Sequence, residues 1–405
     1  VWQVQVETPL TITTPKGFQA SGVHVGLKRK RKDLGLIWCE EGASAAAVYT
    51  TNQVQAAPIT VTKQAIQASQ GRIHAVLVNS GNANACTGEL GLSHAYTSQQ
   101  ALATHFGIAP EQVVIASTGI IGQPLAIDTL LAGIPQLIPT NDKDAASDFA
   151  HAILTTDTGT KSAGQQYMQG DVQISVCGVA KGSGMIHPNM ATMLGFLTTD
   201  ATIEPDVLQT LLRRTIHRTF NCITVDGDSS TNDMVMILAS GAAGGAPIVE
   251  GTDEAFAFEQ AIETVCQDLA KQIARDGEGA TKLIEVTVEG TQTDEVARMV
   301  AKQVVGSSLV KTAIFGEDAN WGRIIAAVGS IKEPLDVSNV DIKIGSQWVL
   351  QQSMPALFDE TIASQDLAQQ DVQIHIDLHD GVGQGHAYGC DLTYDYVKIN
   401  ASYRT

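Results

Sequence analysis

Aliphatic runs broken by small polar turns recur along the first third of the chain. His74-Ala75-Val76-Leu77-Val78 and Gln112-Val113-Val114-Ile115-Ala116 are the clearest; short apolar runs rich in β-branched residues and bounded by turn signals predict buried strands. They lead into Asn79-Ser80-Gly81 and Ser117-Thr118-Gly119, small polar turns at the strand ends where α/β proteins place their chemistry. Glu204-Pro205-Asp206 opens a helix running to about Thr219, with proline near its first turn. A longer helix is predicted from Asp253 to Arg275, stopping before Gly277. Strands return at 284–288, 340–344 and 372–377. Val23–Leu27 and Leu34–Trp38 also read as strands, joined as a hairpin through Lys28-Arg29-Lys30-Arg31-Lys32, and Gly381-Val382-Gly383-Gln384-Gly385 predicts a second hairpin turn. No repeat, low-complexity tract or clear linker interrupts this α/β pattern.

Composition changes this picture little, and charge narrows it. With 405 residues, 44% of them hydrophobic, the chain can fill a substantial core. Charged residues are sparse at 17%, which points to tight packing and not to disorder. A formal net charge of -18 argues against nucleic acid as the main partner, because binding phosphate backbones takes clustered Lys and Arg. The basic run at 28–32 is the local exception. A solvated turn fits it best, and an anion patch or nuclear signal is the sharper alternative. The cysteines, at 39, 86, 177, 222, 266 and 390, include no Cys-x-x-Cys spacing, so neither a zinc site nor a disulfide framework is indicated. They read as reduced, mostly buried thiols of a cytosol-like compartment. Val1–Glu7 lacks the apolar run of a signal peptide, and no stretch is long and apolar enough for a membrane span; a cytoplasmic protein is expected. The first residue is not Met, which leaves room for leading residues or a transit peptide upstream.

The candidate chemistry centres on Ala180-Lys181-Gly182-Ser183-Gly184-Met185-Ile186-His187-Pro188-Asn189-Met190-Ala191-Thr192-Met193-Leu194-Gly195. Gly182, Gly184 and Pro188 prevent a continuous helix here, so the segment reads as an irregular loop able to approach another group closely. Cutting the Ala191–Thr192 bond would make Thr192 an N-terminus. Its α-amine, with an ordinary pKa of about 7.7–8.0, would then stand beside the hydroxyl as a built-in base. On residue types alone, a Gly- and Met-rich loop packed into the core fits better, and the chemistry by itself nominates Thr192 only weakly.

The same segment resembles, nearly residue by residue, the cleavage segment of the ornithine acetyltransferase (glutamate N-acetyltransferase) family, in which Lys-Gly-Ser-Gly-Met-Ile leads into an Ala-Thr scissile pair. Residues 79–88, 116–122, 221–228 and 316–323 and the ending Asn400–Thr405 are also similar to that family, so the match spans nearly the whole chain. The resemblance implies layered mixed sheets flanked by helices, as in the ornithine acetyltransferase and self-processing aminopeptidase-like fold, and a chain cut into 1–191 and 192–405. It implies Thr192 as nucleophile, Thr118 and Gly119 as oxyanion hole, and Thr155, Lys181, Thr192, Glu278, Asn400 and Thr405 as substrate-binding residues. The implied reaction moves an acetyl group from N2-acetylornithine to glutamate in arginine biosynthesis. Acetyl-CoA is a second acyl donor in some members, no metal or other cofactor is implied, and the assembly is a heterotetramer of two cleaved pairs.

Elementary chemistry gives these roles sense. A Ser-Thr-Gly turn after a strand offers a hydroxyl and backbone N–H groups to one developing negative charge. A buried substrate carboxylate needs a cation, and Lys181 is the nearest one in sequence to Thr192. In Leu154-Thr155-Thr156-Asp157-Thr158 the sequence does not separate Thr155 from Thr156 as the ligand. Ornithine's ammonium groups call for an acceptor, and Arg275-Asp276-Gly277-Glu278-Gly279-Ala280-Thr281-Lys282 supplies Glu278 without the spacing of a Walker loop. Taken alone, Glu278 reads as a solvated charge beyond a helix end. The run 226–233 lacks the sixth-position Gly and twelfth-position Glu of a calcium loop and reads as a turn, structural or lining the site. Ser183 and His187 lack a third group for a triad. Two rival readings stay open: a self-cleaving hydrolase that passes its acyl group to water, and a non-enzymatic protein that binds anions through the basic run.

Overall fold

In a computed structural model, the described residues are 9–187 and 193–402. Their strands are β1 (Gln19–Val23), β2 (Leu34–Tyr49), β3 (Arg72–Asn82), β4 (Val113–Ile120), β5 (Lys161–Gln169), β6 (Val172–Lys181), β7 (Leu194–Thr199), β8 (Met234–Ala239), β9 (Leu283–Thr291), β10 (Asp341–Ile344), β11 (Gln347–Gln351), β12 (Met354–Pro355), β13 (Asp371–Asp377) and β14 (Gly383–Cys390). The helices are α1 (Ala57–Ala68), α2 (Gly88–Phe106), α3 (Ile127–Gly133), α4 (Lys143–Ala152), α5 (Pro205–Arg218), α6 (Asp253–Arg275), α7 (Asp294–Gly306), α8 (Ser308–Phe315), α9 (Trp321–Val328), α10 (Glu360–Leu367) and α11 (Tyr394–Ser402). The long helices α5 and α6 and the strands β3, β4, β9, β10 and β13 fall where the hydrophobic pattern places them.

The larger sheet runs β4-β3-β2-β8-β7-β6-β5, with β1 on β2. β3 pairs β4 and β7 pairs β8 in parallel, while the remaining neighbours are antiparallel. Every residue of β7 and β8 is buried, as expected of strands covered on both faces. On one face, Leu208 and Leu212 of α5 and Phe258, Ile262 and Leu269 of α6 pack with Val176, Leu197 and Ile237. On the other, Phe149 of α4 packs with Ile37, Val76 and Phe196.

The smaller sheet runs β12-β11-β10-β13-β9-β14. Its outer face is covered by Val300 and Val304 of α7 and Ile324 of α9. Helix α6 lies between the sheets: Leu283, Tyr388 and Cys390 join its core, and Gln267 Nε2 donates to the Tyr388 hydroxyl at 2.7 Å. Its start is capped by Thr252 Oγ1, which accepts from Ala255 N at 3.2 Å. The fold is therefore the expected α/β arrangement of layered mixed sheets and helices.

Two local expectations need correction. β1 and β2 do form a hairpin with Val23 opposite Leu34, but β1 stops at Val23 instead of reaching Leu27. The fully buried Asp33 carboxylate accepts from the N–H groups of Val25 at 2.7 Å, Gly26 at 3.1 Å and Lys28 at 2.8 Å, so these donors close a turn instead of extending a ladder. Residues 381–385 do not form a hairpin turn. β13 and β14 lie on opposite sides of β9, one parallel and one antiparallel to it, so the glycine-rich connection crosses that strand, and Gly383 and Gly385 already belong to β14. No helix among the described residues is long and apolar enough to cross a membrane.

Candidate functional site

The site begins where β3 and β4 end side by side, with Ser80 opposite Thr118 and Gly81 opposite Gly119. Gly119 has φ of 134°, and a Cβ there would overlap the backbone of Gly81 and Asn82. Only glycine allows this approach. Side chains on both flanks fix the turn. Ser117 Oγ donates to Asn79 Oδ1 at 2.5 Å, and Asn232 Nδ2 donates to Ser117 O at 2.8 Å and to Ala83 O at 2.6 Å.

Thr118 and Gly119 open onto a cavity of about 200 Å³ that is also lined by Thr155, Thr156, Lys181, Glu278 and Asn400. Six residues named from the resemblance thus meet in one place although 282 positions separate Thr118 from Asn400 in numbering. Both Thr155 and Thr156 line the cavity, so both remain candidates. Ala191, Thr192 and Thr405 lie outside the described residues. On the near side of that gap Lys181 ends β6, and on the far side Leu194 pairs with it, while Met193 O accepts from Met234 N at 3.0 Å.

The cationic end of the cavity is organised by Asp157, a residue given no role by the sequence reading. Its Oδ1 accepts from Lys161 Nζ and from Gly182 N, each at 2.7 Å, and its Oδ2 accepts from Thr155 N at 3.0 Å. One carboxylate thereby fixes the threonine loop after α4 and the backbone beside Lys181. Burial alone would raise the Asp157 carboxyl, but the ammonium groups of Lys161 and Lys181 hold it below its ordinary value. Desolvation pushes the Lys181 ammonium down against the pull of Asp157 and Asp233. Asp233 is buried with its carboxyl pushed well up by desolvation, Lys181 opposing the shift, and its Oδ2 has no hydrogen-bond partner among the described residues.

The anionic end is built on the loop after α6. Glu278 is only 7% exposed, which corrects its reading as a solvated charge. Its backbone N donates to Ser183 O at 3.0 Å, and Asn400 Nδ2 of α11 donates to its Oε2 at 2.8 Å. Gly184 leaves room for the carboxylate, since a Cβ there would strike it. Asp226 and Asp228 line the same cavity, so the run 226–233 is a turn lining the site. Asp226 also shapes the Gly-rich loop, accepting from Met185 N at 2.6 Å and Ile186 N at 2.9 Å; burial raises its carboxyl. Ser183 and His187 form no dyad. Ser183 Oγ donates to Asp276 O at 2.6 Å, whereas His187 Nδ1 lies 3.0 Å from Thr224 Oγ1.

The arrangement gathers a strand-end turn carrying a hydroxyl and backbone N–H groups, a lysine and a buried carboxylate around one small cavity. The ArgJ family profile matches residues 19–405. The chain is 54% identical over 397 residues to the arginine biosynthesis bifunctional protein ArgJ of Bacillus cereus, with 98% of this chain and 97% of the relative covered. It is 54% identical over 403 residues to the protein of the same name from Geobacillus kaustophilus, with 100% and 98% covered. Among solved structures, the arginine biosynthesis bifunctional protein ArgJ from Bacillus halodurans is 53% identical, with 51% of this chain and 97% of that chain covered at a TM-score of 0.50. The likeness read from six separate motifs therefore holds along almost the full length, and the chain belongs to the ArgJ family.

Proposed function

We propose that this chain is an acetyltransferase of arginine biosynthesis that cuts itself between Ala191 and Thr192 and then carries acetyl groups on Thr192 from N2-acetylornithine to glutamate. The observation that carries this reading is the convergence of Thr118, Gly119, Lys181 and Glu278 on one small cavity beside the start of β7. In maturation the Thr192 hydroxyl attacks the Ala191 carbonyl, and water hydrolyses the resulting ester to give the Ala191 carboxylate and a free α-amine. In turnover that amine takes the hydroxyl proton as Thr192 attacks the acetyl carbonyl, and the proton passes to the departing ornithine amine. Thr118 and Gly119 donate to the tetrahedral oxyanion. Lys181, with Thr155 or Thr156, pairs the substrate carboxylate, and Glu278, held by Asn400, takes an ornithine ammonium; Thr405 completes the binding set. Glutamate's amine then attacks acetyl-Thr192, which makes the cycle ping-pong.

Two facts about relatives support the reading. The solved Bacillus halodurans chain is about half as long as this one, as one product of such a cut would be. Relatives over the full length carry the word bifunctional in their names, which suits acetyl-CoA as a second acyl donor. The fragments 1–191 and 192–405 would stay joined, because the larger sheet takes β6 from the first and β7 from the second; two such pairs would form the cytoplasmic heterotetramer. Intact mass measurement under denaturing conditions, with N-terminal sequencing, tests the cut. Ornithine release that rises with glutamate and yields N-acetylglutamate tests the transfer, whereas glutamate-independent release would identify a hydrolase.

A further inference from the structure

The basic turn 28–32 is more than a solvated hairpin tip. Its shape is set from inside by Asp33, which is fully buried and collects three backbone N–H groups and His24 Nδ1. It is then fastened to the wall of the cavity. Lys28 Nζ donates to Leu154 O at 2.8 Å and Arg31 Nη1 to Asp157 O at 3.3 Å, so the two cations bracket the cavity-lining Thr155 and Thr156. Gly81, whose backbone abuts Gly119, is approached from its other side by Lys28; a Cβ at Gly81 would come within 2.7 Å of Lys28 Cγ. Lys32 is engaged by Asp148 at 2.5 Å. Arg29 and Lys30 remain at the exposed tip, and among the described residues neither enters an ion pair.

Two unpaired cations on a turn fastened beside the cavity of a chain of net charge -18 require a reason. The amino-acid substrates do not supply it, because Lys181 and Glu278 already meet their charges inside about 200 Å³. A thioester donor carries phosphate groups too large to follow its acetyl group into that space, and Arg and Lys are the side chains that hold phosphate. We propose that the turn 28–32 is a phosphate-binding rim that holds the phosphorylated carrier of a thioester acyl donor outside the cavity while its acetyl group reaches the oxyanion turn. This rests on the acetyltransferase reading above, with acetyl-CoA as second donor.

The test uses the matured protein with Arg29→Ala and Lys30→Ala combined. The KM for acetyl-CoA should rise roughly tenfold, the loss of about 1.4 kcal/mol of binding. The KM for N2-acetylornithine and for a phosphate-free acetyl thioester should stay unchanged, and the exchanged pair Arg29→Lys with Lys30→Arg should restore acetyl-CoA use. An unchanged KM for acetyl-CoA, or an equal loss with the phosphate-free thioester, would overturn the proposal. If the wild-type protein transfers nothing from acetyl-CoA, the second-donor reading falls, and calorimetry with CoA itself decides the rim: binding lost in the double variant upholds it, and no difference overturns it. Inorganic pyrophosphate binding as tightly as CoA would mark a site for free phosphates and would also overturn the carrier assignment.

Discussion

The side-chain amide of Asn232 donates to the carbonyl oxygen of Ser117 at 2.8 Å, a bond from the sequence after Thr192 to the peptide that carries the N–H of Thr118. The same amide donates to Ala83 O at 2.6 Å, and its Oδ1 accepts from Thr231 Oγ1 at 2.6 Å. Asn232 is therefore saturated with structural bonds while lining the cavity. It acts as a positioning residue for the turn proposed above as the oxyanion hole. Asn232→Ala leaves two buried carbonyls short of a donor, at a cost of about 1–3 kcal/mol each, and should lower kcat while leaving KM nearly constant. Asn232→Asp should be worse, since it sets an acceptor against two carbonyls. Steady-state kinetics on matured protein, with thermal unfolding alongside, separates this from a role in binding, which would raise KM at constant kcat.

In the proposed mechanism Thr118→Ala removes one donor to the developing oxyanion, and it should lower kcat by roughly 10²–10³. The effect should appear without a large loss of stability, because the strand pairing of β4 uses backbone groups. Gly119→Ala should instead fail as a fold, since its Cβ overlaps the backbone of β3 at a φ that disfavours side chains. A folded, active Gly119→Ala protein would show that the turn is looser than its geometry requires.

The strand ends that carry Thr118 and Gly119 were legible because buried strands leave unbroken aliphatic runs in the sequence and small polar residues mark where they stop. Glu278 was legible only through family likeness. Its neighbours read as a helix end in water, and what encloses it is distant in sequence: the loop at Ser183 and Gly184, and Asn400 of α11. Asp157, Asp226 and Asn232 gave almost no signal, because each satisfies backbone groups distant in sequence, and no pattern of residue types records which carbonyl or N–H lacks a partner. The glycines at 381–385 suggest a hairpin turn, but Gly383 and Gly385 lie in β14, and residue types alone do not tell a hairpin from a crossover. The choice fell to β9, which pairs with β13 on one edge and β14 on the other.

Lys181→Ala should raise the KM for N2-acetylornithine, because the substrate carboxylate loses its cation. The change also strips positive charge from beside Asp157 and Asp233, whose carboxyls are both buried. Asp157 keeps Lys161 at 2.7 Å, so the threonine loop should hold, and Asp233 should take up a proton more readily. An unchanged KM would remove Lys181 from substrate binding.

His187 gives the fold a pH dependence of definite sign. Burial, aided by the charge of Lys302 and opposed by Asp228, pushes its imidazole from 6.5 down to about 4. Thr224 Oγ1 donates to Ile186 O at 3.2 Å, so Nδ1 of His187, 3.0 Å away, carries the proton and donates to Thr224. Between those two values the unfolded chain holds a proton that the folded chain refuses, and stability must fall as pH falls through that window. Above about pH 7 the contribution is complete and flat. Denaturant unfolding of the wild-type protein and of His187→Asn, whose amide can still donate to Thr224 but does not titrate, isolates the effect. The stability difference between them should shift against the wild type from about pH 6.5 to about pH 4; a difference that stays constant across that range would mean that His187 titrates alike in the folded and unfolded chains.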